Sequence, residues 1–293
     1  EPYYSMIDRQ LVPPRIPAPA TWEGKPGLLK GIWEEQGLKD YSEQEWTELR
    51  ATYLGMCARI DDQLGMVIQA LKDRSLYDET ALFFFSDHGD FTGDYGLVEK
   101  TQNTFEDCLT NVPFVIKPPS STPVVPGVRE ALVELIDFPA TVEALTGIQP
   151  GHTHFGRSLL PLVGGTVNHH RDAVYCEGGR LLDEDHTRER QSRDSGHSLY
   201  WPRIKWQTGD GPEHGKAVMV RTHRYKYVRR LAEEDELYDL VEDPTETVNL
   251  IEDSALEGVL GQMKDRLLTF YLETADVVPF EGDQRNFPAP SQS

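Results

Sequence analysis

The sequence predicts an α/β chain that ends in a small antiparallel sheet and a helix, and three observations predict it. A long amphipathic helical pattern runs into a short apolar, aromatic segment, the helix-then-strand succession of a layered α/β sheet. From about Arg171 the pattern changes to short alternating segments separated by turn residues. A last helical stripe follows, with Leu256, Val259, Leu260, Met263, Leu267, Phe270 and Tyr271 on one face.

Taken in order, residues 2–26 carry Pro at 2, 13, 14, 17, 19 and 26, which predicts an extended surface segment. Ser42 and Glu45 form an S-x-x-E capping box, and apolar residues from Trp46 through Leu49, Tyr53, Met56, Ile60, Leu64 and Val67 to Leu71 recur in steps of three and four. Asp61 and Asp62 inside that helix point about 100° apart, which suits a solvated face better than a shared metal. Thr80 to Ser86 has the length and aromatic content of a buried strand. The glycine- and acid-rich residues 87–100 form the loop at its C-terminal end, where open α/β sheets place ligands. A second strand is expected over Val112 to Ile116, and helical pieces over Val128 to Ile136 and Phe138 to Leu145, the latter opened by Asp137 and Pro139 and ended by Gly147.

The small sheet is expected from Ala173 to Cys176, Lys216 to Thr222 and Tyr225 to Leu231. The domain reading is therefore residues 1–165 for the larger α/β part and 171–275 for a small α+β subdomain, with a charged insertion at 180–215 and a tail at 276–293. The insertion mixes His186, Arg188, Arg190, Arg193, His197, Tyr200 and Trp201, and it reads either as a functional flap or as a partly disordered stretch.

A net charge of -20, from 29 Lys and Arg against 49 Asp and Glu, repels nucleic acid and anionic membrane surfaces. The longest apolar run is the five residues Ala81 to Phe85, far short of the ~20 that span a bilayer. Neither nucleic acid nor membrane is an expected partner. Cys57, Cys108 and Cys176 are too few and too scattered for a disulfide framework or a zinc finger. No targeting segment is visible after Glu1, so the compartment stays open.

Ser86-Asp87-His88-Gly89-Asp90 puts a carboxylate and an imidazole directly after the expected strand, with a glycine that permits a tight turn. Oxygen and nitrogen donors there suit a divalent cation, although such residues are also common in surface loops. Lys100, twelve residues past His88, is near enough to return to the same strand end and hold an anionic group, or it is a solvated surface charge.

These residues resemble, in order and over nearly the whole chain, the formylglycine-dependent sulfatases of the alkaline phosphatase superfamily. Arg59 to Gly65 and Leu76 to Thr80 resemble the family's helix before its metal strand; Ser86 to Asp90 looks like its SDHGD element. Gly93-Asp94-Tyr95-Gly96-Leu97 with Lys100 is similar to its GDHGL…K stretch, and Asn111-Val112-Pro113-Phe114 to its VP strand. Gly156 to Leu162 resembles GxSLxPLL, Val220 to Tyr227 resembles RTxRYKY, and Glu236 to Leu240 with Asp243-Pro244, Glu246 and Asn249-Leu250 resembles ELYDLxxDPxExxNL.

The resemblance implies an alkaline-phosphatase-like sandwich with a partial central sheet flanked by helices. It implies that Asp87 and His88 supply part of a divalent-metal site, with Ca2+ the first expectation and Mn2+ or Zn2+ if a phosphonate is the substrate. Lys100 would bind the sulfate and leaving-group side. The reaction implied is hydrolysis of an anionic sulfate ester, carbohydrate or aryl, through a formylglycine nucleophile. The chemistry agrees, since a metal ion and an ammonium neutralise charge on ester oxygens.

Departures limit the transfer. The family's nucleophile lies in a C/S-x-P-x-R motif that no segment here fits; Cys176-Glu177-Gly178-Gly179-Arg180 has the Cys-to-Arg spacing without the Pro. The chain therefore reads as a C-terminal portion, with the nucleophile expected outside it on the N-terminal portion of the same enzyme as partner. Tyr95 replaces a common His, and a phenol with a reference pKa of about 10 is a poor acid at neutral pH. Other readings kept open are a phosphonate or phosphodiester hydrolase and a noncatalytic chain of a split enzyme, and homo-oligomerisation is undecided. His152 and His154 fit a polar loop, and Arg221, His223 and Arg224 fit surface pairing in alternating strands.

Overall fold

The computed structural model describes residues 1–187, 204, 206 and 208–277, so most of the charged insertion and the tail from 278 lie outside the described residues. Helix α1 (Gly27–Glu35) follows the proline-rich segment and buries Leu28, Leu29 and Ile32. Helix α2 (Glu43–Asp73) begins at the expected capping box: Ser42 N donates to Glu45 Oε2 at 2.7 Å and Glu45 N to Ser42 Oγ at 3.3 Å. Residues 3–15 lie along its first half, where a side chain at Gly55 would meet the Tyr3 carbonyl oxygen at 2.9 Å and Arg9 bonds Glu48. Beyond Gly55 the apolar stripe of α2 is bare, with Met56, Ile60 and Val67 more than half or half exposed.

Strand β1 (Leu82–Phe85) pairs antiparallel with β2 (Phe114–Lys117), Leu82 opposite Lys117 and Phe85 opposite Phe114. Alternation sends Phe83 and Phe85 to one face, where both rings meet Phe138 at 4.9 and 5.1 Å. Phe138 belongs to α4 (Asp137–Thr146); between them lies the short α3 (Asp107–Thr110). β1 is only partly covered, with Phe84 and Phe85 exposed, so the expectation of a fully buried strand is corrected.

The helix expected over Val128 to Ile136 is also corrected, because that segment is irregular. Arg129 donates to the carbonyls of Leu162 (Nε, 3.0 Å) and Val125 (Nη2, 2.5 Å), and Leu132 bridges Arg171. The segment's polar bonds thus go to the turn containing α5 (Leu160–Val163) instead of to a helix of its own.

The second sheet runs in sequence order: β3 (Val174–Gly178), β4 (Ala217–Arg221), β5 (Tyr225–Arg230) and β6 (Glu236–Asp239), all antiparallel neighbours. On one face Val218, Val220, Tyr227 and Leu237 pack against Met263 and Leu267 of α6 (Glu257–Thr274). On the other, Ala217, Met219 and Val228 pack against Phe105. Both faces of β4 are therefore covered, which is why its residues are buried without alternation. The covering residue on the second face belongs to the segment that follows Lys100, so the small sheet is the floor on which the candidate site's loop rests.

Candidate active site

β1 delivers Asp87 and His88 at its C-terminal end. His88 N donates to Asp87 Oδ1 at 3.0 Å, and Ser86 Oγ donates to the His88 carbonyl at 2.7 Å. The imidazole Nδ1 lies 2.9 Å from the Gly89 carbonyl, a contact that requires a proton on Nδ1 and leaves the lone pair on Nε2. Nε2 is 3.7 Å from Asp87 Oδ2, and the Asp87 side chain is 85% exposed. An imidazole oriented by a backbone carbonyl beside an accessible carboxylate is the donor chemistry a divalent cation takes. Asp87 and His88 fit as two ligands of such an ion. Among the described residues no group of three or more His, Cys, Asp or Glu is placed to hold a metal ion.

Gly89 is required for a reason the sequence reading missed. A Cβ there would sit 1.9 Å from the Cys108 carbonyl oxygen, while Gly89 N donates to the Leu109 carbonyl at 2.8 Å. The close approach of α3, more than the turn itself, excludes a side chain.

The loop then doubles back. Thr92 N donates to the Val98 carbonyl at 2.8 Å, Gly93 N to the Leu97 carbonyl at 2.7 Å, and Lys100 N to Asp90 Oδ1 at 2.8 Å. Asp90 therefore brings Lys100 back to the strand end that carries Asp87 and His88. The Lys100 side chain is exposed and free of ion pairs among the described residues.

Tyr95 is not placed to act as an acid. It is 2% exposed, its hydroxyl donates to the Thr245 carbonyl at 2.7 Å, and burial, then the charges of Glu106 and Glu246, push its phenol far above the usual range. With φ of 55° it takes a left-handed conformation between Asp94, whose Oδ1 accepts from Ile16 N and Arg50 Nη1, and Gly96. Its role is to fasten the loop to the small subdomain.

The other candidates resolve individually. Cys176 sits in β3 against the Phe105 cluster, and burial raises its thiol pKa, which disfavours the thiolate. His154 Nε2 is 2.9 Å from Glu143 Oε2, and Asp62 Oδ2 accepts from the Tyr3 hydroxyl at 2.7 Å. Arg221 pairs with Asp107 at 2.9 Å and Arg224 with Asp239 at 2.8 Å. His186 is exposed, and Arg188, Arg190, Arg193, His197, Tyr200 and Trp201 fall outside the described residues.

Residues 28–148 match the family model described as Sulfatase. The chain is 28% identical over 238 residues to the multifunctional alkaline phosphatase superfamily protein PehA of Trinickia caryophylli, covering 80% of this chain and 42% of that protein. It is 35% identical over 130 residues to arylsulfatase K of Danio rerio, covering 44% of this chain and 24% of that one. The phosphonate monoester hydrolase of Agrobacterium radiobacter superposes with a TM-score of 0.70 at 22% identity, over 96% of this chain and 57% of that chain. The fold is that of the alkaline phosphatase superfamily. Within that fold, residues 28–148 are similar to the sulfatase family. It spans less than half the length of these curated relatives.

Proposed function

We propose that this chain forms part of a hydrolase for organic sulfate esters, with Asp87 and His88 holding a divalent cation and Lys100 gripping the anionic group. The observation that carries the reading is the Lys100 N to Asp90 Oδ1 bond, which returns the Lys100 backbone to the strand end that bears the oriented Asp-His pair. A bound cation, Ca2+ in the first instance, would supply Lewis-acid neutralisation of ester oxygens. His88 presents Nε2 because Gly89 holds Nδ1, and Asp87 contributes carboxylate oxygen. Lys100 neutralises charge on the nonbridging and leaving oxygens as the ester bond breaks. The nucleophile, a formylglycine, is assigned to polypeptide outside this sequence.

A second reading is a phosphonate or phosphodiester hydrolase using Mn2+ or Zn2+, since the phosphonate monoester hydrolase of Agrobacterium radiobacter shares the fold. Turnover of matched aryl sulfate and aryl phosphonate esters by the complete enzyme separates the two. Preference for the sulfate supports the first reading, preference for the phosphonate the second, and no turnover of either with any of these metals would leave a noncatalytic chain.

A further inference from the structure

We infer that Asn103 is a positioning residue for Lys100, bolting the segment after it to the small subdomain. This rests on the reading of Lys100 as the anion-binding residue. Lys100 is the exposed apex of a short bridge between two buried anchors. On one side Leu97 is 1% exposed in the core with Leu28, Ile32 and Phe91. On the other Asn103 is 6% exposed, and its Nδ2 donates to the Glu213 carbonyl at 3.0 Å and the Gly215 carbonyl at 2.8 Å. Arg230 Nη1 returns a bond to the Asn103 carbonyl at 2.9 Å.

The backbone at Asn103 is held tightly enough to constrain its neighbours. Its φ is 62°, a left-handed conformation that Asn tolerates better than most residues. A side chain at Gly178, the end of β3, would meet the Asn103 Cα at 3.1 Å. Thr101 and Thr104 hydroxyls bond each other across the turn, so the bridge between apex and bolt is itself closed. Five residues between two fixed points leave Lys100 little freedom, and a shift of about 1 Å in a reacting group can cost about a hundredfold in rate. The bolt's acceptors are backbone carbonyls on the way into β4, so the small sheet fixes where the backbone after Lys100 is anchored.

Asn103→Gly tests this in the 293-residue chain, because glycine accepts the left-handed backbone while deleting both amide bonds. Two readouts are taken: hydrogen exchange of the Lys100 amide, and protection of the Lys100 amine from acetylation by inorganic sulfate. Loss of two hydrogen bonds should speed exchange by about tenfold or more and raise the half-protecting sulfate concentration by about the same factor. Met263→Ala, which weakens the α6 core without touching the bridge, should move both readouts far less. Unchanged exchange in Asn103→Gly, or an equal rise in Met263→Ala, overturns the bolt. If sulfate fails to protect Lys100 in the parent, the anion-binding role falls and the positioning role falls with it, whatever exchange shows.

Discussion

Lys226 Nζ lies 2.7 Å from Glu246 Oε2, both side chains almost fully buried, and the same ammonium reaches Asp107 Oδ1 at 2.6 Å and the Phe105 carbonyl at 2.8 Å. Burial opposes the charge on Lys226, but Glu246 and Asp107 outweigh it and raise its pKa. Through Asp107 and Phe105 the ammonium ties β5 to the segment that follows Lys100. Lys226→Met should cost about 3–5 kcal/mol, because it leaves Glu246 uncompensated in the interior. Urea unfolding measures this; a loss below 1 kcal/mol would show that the buried charges relax to solvent.

Asp87→Asn and His88→Ala in the complete enzyme should each weaken metal binding and lower turnover by orders of magnitude. Because Asp87 is largely exposed, the thermal midpoint of the metal-free chain should barely move, in line with surface substitutions of about 0.5 kcal/mol or less. Metal content by mass spectrometry of the native protein and parallel melting curves separate loss of a ligand from loss of fold. Wild-type metal content in both variants would remove the assignment.

Tyr95→Phe deletes the hydrogen bond to the Thr245 carbonyl and nothing else. Stability should fall by about 1 kcal/mol, while the pH dependence of turnover stays parental. A shifted alkaline limb in the variant would restore Tyr95 as a proton donor.

Acid sensitivity should arise from two buried imidazoles. Burial lowers the pKa of His214, which is 2% exposed, and that of His170, where Asp137 Oδ2 at 3.1 Å offsets part of the effect. Below about 6.5 the unfolded chain takes up protons that these folded imidazoles refuse. Stability is therefore lost as pH falls from there toward the folded values. Tm should decline from pH 7 to 5.5, and the double variant His214→Gln/His170→Gln should show a shallower decline. The comparison is between variant and parent because Glu134 and Glu233, raised by burial, act in the opposite sense in the adjoining acid range. Equal slopes would place the acid sensitivity elsewhere.

Much of this architecture was legible where local chemistry decides it. The Ser42–Glu45 box and the Met263–Leu267 stripe are short-range signals, and both elements stand where they predict. Helix α1 went unread because nine residues after Pro26 carry too short a pattern, although Leu28, Leu29 and Ile32 share a face. β6 was visible only as a motif: Glu236, Leu237, Tyr238 and Asp239 are all buried, the acids paired with Arg230 and Arg224, so no alternation survives. Asp87, His88 and Lys100 could be picked out because they follow one strand. Asn103 could not, since its acceptors lie 110 and 112 residues away and are backbone atoms without a side-chain signature.

The close seat of the Cys108 carbonyl on Gly89 has a mechanical consequence. α3 touches the Asp87–His88 turn through that carbonyl and the Leu109 carbonyl, and one residue earlier Asp107 is gripped by Lys226 and Arg221 from the small sheet. A single helical turn is thus one linkage between two sheets that share no strand. Neither sheet can rotate far against the other without prising α3 off Gly89 or pulling Asp107 from its cations, so the donor pair and the small sheet should open together, as one cooperative unit.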